Sequence, residues 1–152
     1  ECYINGVPTL ASLDCGCTHS LLTPAAAALH GLTPFIDPRI TGRLPGIGGT
    51  GTFQGKVHIV ELQFIDNNVN ETMSLPGSFF VVDNSLHSCI IGMDFLSRFG
   101  CTVDFRAGFL VGSFRGGGFR IGVESVGEGE RGERFERSRS RERIDTKLVR
   151  LC

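Results

Sequence analysis

The sequence predicts a small, mostly β protein, built as a closed barrel with one or two short helices. Two observations lead to this prediction. Short apolar runs recur along the first 114 residues, and turn residues separate them. Glycine is also abundant, at 21 of 152 residues, which is typical of a chain with many tight turns. No apolar run approaches the roughly 18–20 residues of a membrane-spanning helix.

Turn and capping residues predict the N-terminal elements. Asn5-Gly6 lies between two apolar segments, a strong signal for a tight β-hairpin. Ser20-Leu21-Leu22 predicts a short strand. Thr23-Pro24 supplies an N-cap and a proline at the first helical position, so we expect a helix from Ala25 to His30. Gly31 is expected to end it.

The middle of the chain alternates glycine with apolar residues. Residues 44–53 form a glycine-rich segment, and a strand is expected from Lys56 to Phe64. Its apolar face switches by one position near Ile59-Val60, which predicts a β-bulge or a strand with two buried faces. A polar loop is expected from Asp66 to Ser74.

Short apolar runs and glycines predict the remaining elements up to residue 114. We expect two buried strands, a short helix ended by Gly100 and a hairpin with Gly108 at its turn. In chain order these are Phe79–Val82, Cys89–Ile91, Met93–Phe99, Cys101–Phe105 and Phe109–Val111.

Charge divides the chain into two unlike parts. Residues 1–114 carry five basic and nine acidic side chains, whereas residues 115–152 carry ten basic and seven acidic ones. The second part is rich in Arg, Glu, Gly and Ser and has few apolar residues to bury. We therefore predict one domain over residues 1–114 and a disordered tail over 115–152.

The cysteines predict the cellular compartment. There are six, irregularly spaced, which is too few for a disulfide scaffold in a chain of this length. No signal segment precedes them, so we expect free thiols in a cytoplasmic protein. The chain begins at Glu1 rather than Met, and we expect it to be a piece of a longer protein.

Three motifs then occur in a meaningful order. A strand runs into Asp14-Cys15-Gly16, a glycine-rich hairpin follows over residues 44–55, and Ile90-Ile91-Gly92 leads into a helix. This order resembles the retropepsin-like aspartic proteases, in which Asp-Thr/Ser-Gly follows a strand and a glycine-rich flap comes next. The segments 90–96 and 101–105 look most like the protease domain of the Ddi-type (DNA-damage-inducible) proteins. The resemblance covers roughly residues 2–114.

The resemblance implies a retropepsin-like barrel, an endopeptidase activity and a set of site residues. Asp14 would be the catalytic residue, and Cys15 and Gly16 would support its loop. A flap would contact substrate, and an apolar-apolar-Gly motif would pack beside the catalytic loop. The flap and motif residues are Gly46, Ile47, Gly48, Gly49, Gly51, Ile90, Ile91 and Gly92. The resemblance implies no cofactor and no metal, and a protein or peptide as substrate.

The chemistry of this class predicts a homodimer. Two carboxylates must flank one water, one ionised as general base and the other protonated as general acid. The chain has one Asp-x-Gly, at Asp14, so one protomer supplies half of a site. Two copies related by a twofold axis would complete it.

Cys15 departs from the family pattern and leaves other functions open. The family has Thr or Ser there, whose hydroxyl donates across the dimer axis, and a thiol is a weaker donor. One alternative is a degenerate retropepsin-like module for dimerisation or protein binding. Another is a retroelement polyprotein protease.

Other chemistries are less well supported by the spacing of residues. Cys15, Cys17 and His19 lack the usual zinc spacing and a second Cys/His pair. The glycine-rich segment lacks the Gly-Lys-Ser/Thr of a phosphate-binding loop. Arg137 to Arg141 alternates arginine with serine and could bind RNA or be phosphorylated, but the acidic residues around it disfavour nucleic-acid binding.

Overall fold

The computed structural model describes residues 2–46, 49–83, 85, 87–125 and 149–151. Within them the chain is mostly β, with two six-residue helices, so the predicted fold class is confirmed. Neither helix is long and apolar enough to cross a membrane. The helices are α1 (Pro24–Leu29) and α2 (Met93–Arg98). The strands are β1 (Cys2–Ile4), β2 (Val7–Thr9), β3 (Ser12–Leu13), β4 (Leu21–Leu22), β5 (Ile36–Asp37), β6 (Gly42–Gly46), β7 (Gly49–Asp66), β8 (Glu71–Val82), β9 (Cys89–Ile91), β10 (Thr102–Asp104), β11 (Phe109–Phe114), β12 (Gly117–Ser125) and β13 (Val149–Leu151).

The N-terminal hairpin and first helix form as their turn and cap residues predict. β1 and β2 pair antiparallel around Asn5-Gly6, whose positive φ angles of 51° and 75° suit a primed turn. The Thr23 hydroxyl accepts a hydrogen bond from the Ala26 N–H at 3.2 Å, which caps α1. Gly31 follows α1 with a φ of +67°, a conformation that glycine adopts without strain.

The described strands join in one sheet, and its connections bring distant segments together. Along it the order is β10-β11-β12-β13-β3-β9-β4-β8-β7-β1-β2, with β5 and β6 also pairing to β7. β3 is parallel to both β9 and β13, so it has a neighbour on each side. The strand before Asp14 therefore lies inside the sheet rather than at its edge.

The long hairpin of β7 and β8 contains the predicted bulge. Val57 pairs with Phe79, but the next pair toward the turn is Val60 with Gly77, so β7 carries one more residue than β8 there. The polar loop is shorter than predicted, because β8 begins at Glu71 and residues 67–70 make the turn.

This turn docks on β12 instead of extending into solvent. Asp66 Oδ1 accepts the N–H of Arg120 at 3.1 Å, and Asn67 Oδ1 accepts the N–H of Gly122 at 2.9 Å. The Asn67 N–H donates in turn to the Arg120 carbonyl at 2.7 Å. The polar residues of the loop thus provide hydrogen-bond partners for backbone groups of Arg120 and Gly122 along one edge of β12.

The prediction that a disordered tail begins at residue 115 is wrong for residues 117–125, which form β12. Residues 117–125 pair with β11, and Phe119, Ile121 and Val123 are buried. Their apolar alternation was present in the sequence, but the many charged and glycine residues around it concealed the strand. Val149–Leu151 also pair, with β12 and β3. Residues 126–148, where the Arg-Ser segment falls, lie outside the described residues.

One face of the central strands forms the core. Leu13 and Ile91 are paired neighbours on β3 and β9, and Leu22 pairs with Val81 between β4 and β8. All four are at most 2% exposed. Successive residues of a strand point to opposite faces, so Ser12, Ile90, Leu21 and Phe80 lie on the opposite face, here called the open face. Leu21 and Phe80 are half-buried there, whereas Ser12 and Ile90 are buried.

Candidate active site

The loop that follows β3 carries the predicted catalytic residue. Asp14 is half-buried, and its N–H donates to the Ile91 carbonyl on β9 at 3.0 Å. The Gly16 N–H donates to Asp14 Oδ1 at 2.8 Å. Among the hydrogen bonds of the described residues, none reaches Oδ2. The carboxylate is therefore held through one oxygen, with the other available to a water or to a second carboxylate.

The apolar-apolar-Gly motif packs directly against this loop. Ile90 and Ile91 form β9 beside β3, and Gly92 caps the start of α2. A Cβ atom on Gly92 would lie 2.5 Å from the His19 carbonyl oxygen and 2.8 Å from that of Cys17. Only glycine allows the two segments to approach this closely. The structure thus brings the first and third predicted motifs together.

A polar network that the sequence did not reveal ties the same segments. The Ser20 hydroxyl donates to Asp94 Oδ1 at 2.7 Å and accepts the Gly92 N–H at 3.1 Å. The Met93 N–H donates to the Cys17 carbonyl at 2.8 Å. Ser20 and Asp94 are 74 residues apart, so no local pattern could have paired them. The network fixes the helix α2 to the end of the Asp14 loop.

The two cysteines of the loop differ in environment. Cys15 is exposed, next to Asp14. Cys17 is half-buried, and its thiol donates to the His19 carbonyl at 3.0 Å. Burial raises the pKa of Cys17, with a partial opposing effect from that hydrogen bond. Cys17 is therefore held as a protonated thiol within its own chain, whereas Cys15 faces outward.

The predicted flap is the hairpin of β6 and β7, and β6 lies beside the strand path. β6 and β7 pair antiparallel from Gly42 with Phe53 to Gly46 with Gly49, so Gly46, Gly49 and Gly51 lie on the paired arms. Ile47 and Gly48 lie outside the described residues. β7 is four strands away from β3 along the sheet, so the flap and the Asp14 loop are at separate places on the path.

An aromatic and basic cluster occupies the open face between these two places. The rings of His19 and Phe53 meet the Phe80 ring edge-on, with centroids 4.9 Å and 4.7 Å apart. Lys56 Nζ lies 4.9 Å from the centroid of the same ring. We call these four residues the Phe80 cluster. All four are half-buried. Sequence reasoning assigned Phe80 to the core because the pairing of β8 with β4 and β7 was unknown.

The described part of the site holds hydrogen-bond donors and carboxylates but no preformed metal centre. Across residues 2–46, 49–83, 85, 87–125 and 149–151, no group of three or more His, Cys, Asp or Glu side chains could hold an ion. One half-buried carboxylate, a glycine-shaped loop and a flap are the components that water-mediated peptide hydrolysis would use from one protomer.

Known proteins are similar to this chain in sequence and in fold. The family model for aspartyl proteases matches residues 1–104. Protein DDI1 homolog 1 of Caenorhabditis elegans is 32% identical over 103 residues, covering 68% of this chain and 25% of that protein. DNA damage-inducible protein 1 of Candida glabrata is 34% identical over 107 residues, covering 70% and 23%. The chain thus spans about a quarter of the length of these curated relatives.

A solved structure has the same fold. The retroviral protease-like domain of Ddi1 from Leishmania major superposes with a TM-score of 0.59 at 24% identity. The match covers 74% of this chain and 80% of that one. At this level of identity the likeness concerns the fold, and it agrees with the barrel predicted from the sequence.

Proposed function

Because the chain belongs to the aspartyl protease family, we propose that it is an aspartic endopeptidase that acts as a homodimer. The Asp14 loop is the observation that carries this proposal. Its carboxylate is held at one oxygen by the Gly16 N–H. Backbone hydrogen bonds also join the loop to β9 and to α2. Likeness to Ddi-type proteins over 103 and 107 residues of the chain supports it.

The proposed mechanism uses Asp14 from each protomer. One ionised Asp14 takes a proton from water as the water oxygen attacks the scissile carbonyl carbon. The protonated Asp14 of the second copy donates its proton to the carbonyl oxygen, giving a neutral gem-diol. Collapse of the gem-diol breaks the C–N bond. The proton held by the first carboxyl moves to the leaving nitrogen, and one gem-diol hydroxyl gives its proton back to the second carboxylate. A carboxyl and an amine result, with no cofactor in any step.

Binding of substrate is proposed to occur by strand addition under the flap. The β6–β7 hairpin offers backbone groups to an extended peptide, and Gly46, Gly49 and Gly51 allow that peptide to approach the backbone. We further propose a cytoplasmic location. Free thiols at Cys15, Cys17, Cys89 and Cys101 support a reducing compartment.

Cleavage of a diverse peptide library, from acid to neutral pH, tests the proposal. Asp14→Asn should lower the cleavage rate by about 10²–10⁴-fold, because it removes the general base and acid. Asp104→Asn is the matched control, since Asp104 caps the turn at residues 106–107 away from the site. Sedimentation should show a dimer for all three proteins. A wild-type dimer that cleaves nothing would overturn the catalytic proposal and leave a protein-binding module.

A further inference from the structure

The register of the sheet places the Phe80 cluster in line with the catalytic strand. Phe80 pairs with Leu21 on β4, Leu21 pairs with Ile90 on β9, and Ile90 pairs with Ser12 on β3. Paired residues share a face, so this row runs along the open face toward the strand that ends at Asp14. Lys56 extends the row by one strand, opposite Phe80.

Lys56 is a half-buried cation, and the acidic residue paired with it across the strands is already engaged. Asp37 lies directly opposite Lys56 on β5. Its carboxylate instead accepts two bonds from the Arg39 guanidinium, each at 2.9 Å, and contacts the His58 ring at 3.0 Å. These hydrogen bonds hold the pKa of Asp37 well below its usual range, so it stays ionised within that pairing.

No ion pair reaches Lys56 from any residue that the structure describes. Its ammonium group rests over the Phe80 ring, which offers attraction but no counter-charge. The His19 ring, which meets the same Phe80 ring edge-on, adds imidazole nitrogens to the cluster. The cluster therefore combines the apolar rings of Phe80 and Phe53 with the positive charge of Lys56 and the imidazole of His19. This combination suits the carboxylate and short aliphatic chain of Glu or Asp.

We propose that the Phe80 cluster is a subsite that selects an acidic side chain of the peptide substrate. The inference rests on the proposed endopeptidase function and adds a substrate class to it. β8 is three strands from β3, about 14 Å along the sheet at 4.8 Å per strand. An extended peptide covers that distance in about four residues. Because the sheet curls, the straight distance is shorter than this path, so the preferred Glu or Asp lies within about four residues of the cleaved bond.

A twofold dimer presents this subsite twice. One copy of the cluster lies on each side of the scissile bond, so the acidic preference should occur on both sides of it. A peptide with acidic residues at both places should then be a better substrate than a peptide with one.

The experiment compares cleavage of peptides that carry Glu, Gln or Lys at the positions proposed to contact the Phe80 cluster. The peptides are otherwise identical. Wild type should favour Glu over Gln by about fivefold in kcat/KM, the effect of one partly exposed ion pair. Lys56→Met should abolish the preference, and Lys56→Glu should reverse it toward Lys. Arg120→Met is the matched control, because Arg120 also lies over a ring, Phe109, but on β12. It should keep the preference for Glu.

The outcomes separate this inference from the proposed function. If wild type cleaves peptides but treats Glu, Gln and Lys alike, or if Lys56→Glu leaves the preference unchanged, the subsite is wrong and the protease activity stands. If wild type cleaves nothing, fluorescence anisotropy with labelled Glu, Gln and Lys peptides decides. Tighter binding of the Glu peptide that Lys56→Glu reverses would support the subsite, and equal or undetectable binding would overturn it.

Discussion

Phe79 and Phe80 are neighbours on β8 and face opposite sides of one sheet. Phe79 is fully buried among the apolar side chains of the core, whereas Phe80 is half-buried beside Lys56 and His19. The core face fixes the position of the strands through packing. Around Phe80 the open face carries Lys56 and His19, whose charge and polarity are not specified by packing. Substitutions at Phe80 should therefore disturb the fold less than substitutions at Phe79.

Truncating these two neighbours should show the largest difference between the faces. Phe79→Ala should lower the free energy of unfolding by about 3–5 kcal/mol, because it leaves a cavity in the core. Phe80→Ala should cost about 1 kcal/mol, since solvent can reach the gap. Urea unfolding followed by circular dichroism measures both. Equal losses would mean that the two faces are equally packed.

Gly92 lies between β9 and α2, and it tests whether packing sets the geometry of the Asp14 loop. Gly92→Ala would force a Cβ atom against the carbonyls of His19 and Cys17. We expect a loss of about 2–3 kcal/mol in stability, together with reduced cleavage. Gly118→Ala is the control, because its Cβ would meet its nearest neighbour at an ordinary 3.9 Å. A stable Gly92→Ala protein with full activity would contradict this account.

Cys15 tests whether the exposed part of the Asp14 loop can be changed without affecting the core. Cys15→Thr replaces an exposed thiol with a stronger donor. The rate of cleavage or the dimer affinity should rise about 2–10-fold, the effect of one hydrogen bond, while monomer stability stays the same. Cys17→Thr should give no such gain, because the Cys17 thiol already bonds within its own chain. No change in either quantity for Cys15→Thr would remove the cross-axis donor from the proposal.

His30 makes the buried side sensitive to acid, which is the smallest effect of the series. It is 2% exposed, and burial lowers the pKa of its imidazole below 6.5, although a backbone contact with Ile4 partly opposes this. The unfolded chain therefore binds a proton that the folded chain resists, so stability falls as the pH drops below about 6.5. His30→Leu should lose less stability between pH 7.5 and 5.5 than wild type. The same loss in both proteins would exclude His30 as the cause.

The features predictable from the sequence were the local ones. Asn5-Gly6, the Thr23 cap and the bulge near Ile59-Val60 each depend on a few adjacent residues, and the structure confirms them. The strand at residues 117–125 was missed because its apolar alternation is short and lies within a charged, glycine-rich stretch.

Features of the site that join distant segments were beyond local reasoning. The hydrogen bond of Ser20 to Asp94 and the cation–π contact of Lys56 with Phe80 depend on which strands pair and in what register. The Asp-x-Gly motif identified Asp14, but only the pairing of β3 with β9 shows what holds its loop. The catalytic roles assigned to Asp14 and the flap glycines stay predictions until cleavage is measured.

The turn between β7 and β8 also affects how this protein behaves in a crowded solution. A strand edge with unpaired N–H groups is a template on which other chains can add strands and aggregate. On β12, the N–H groups of Arg120 and Gly122 instead bond to the side chains of Asp66 and Asn67. Two short polar side chains thus take the place of a neighbouring strand, and they close this part of the edge to polymerisation without lengthening the sheet.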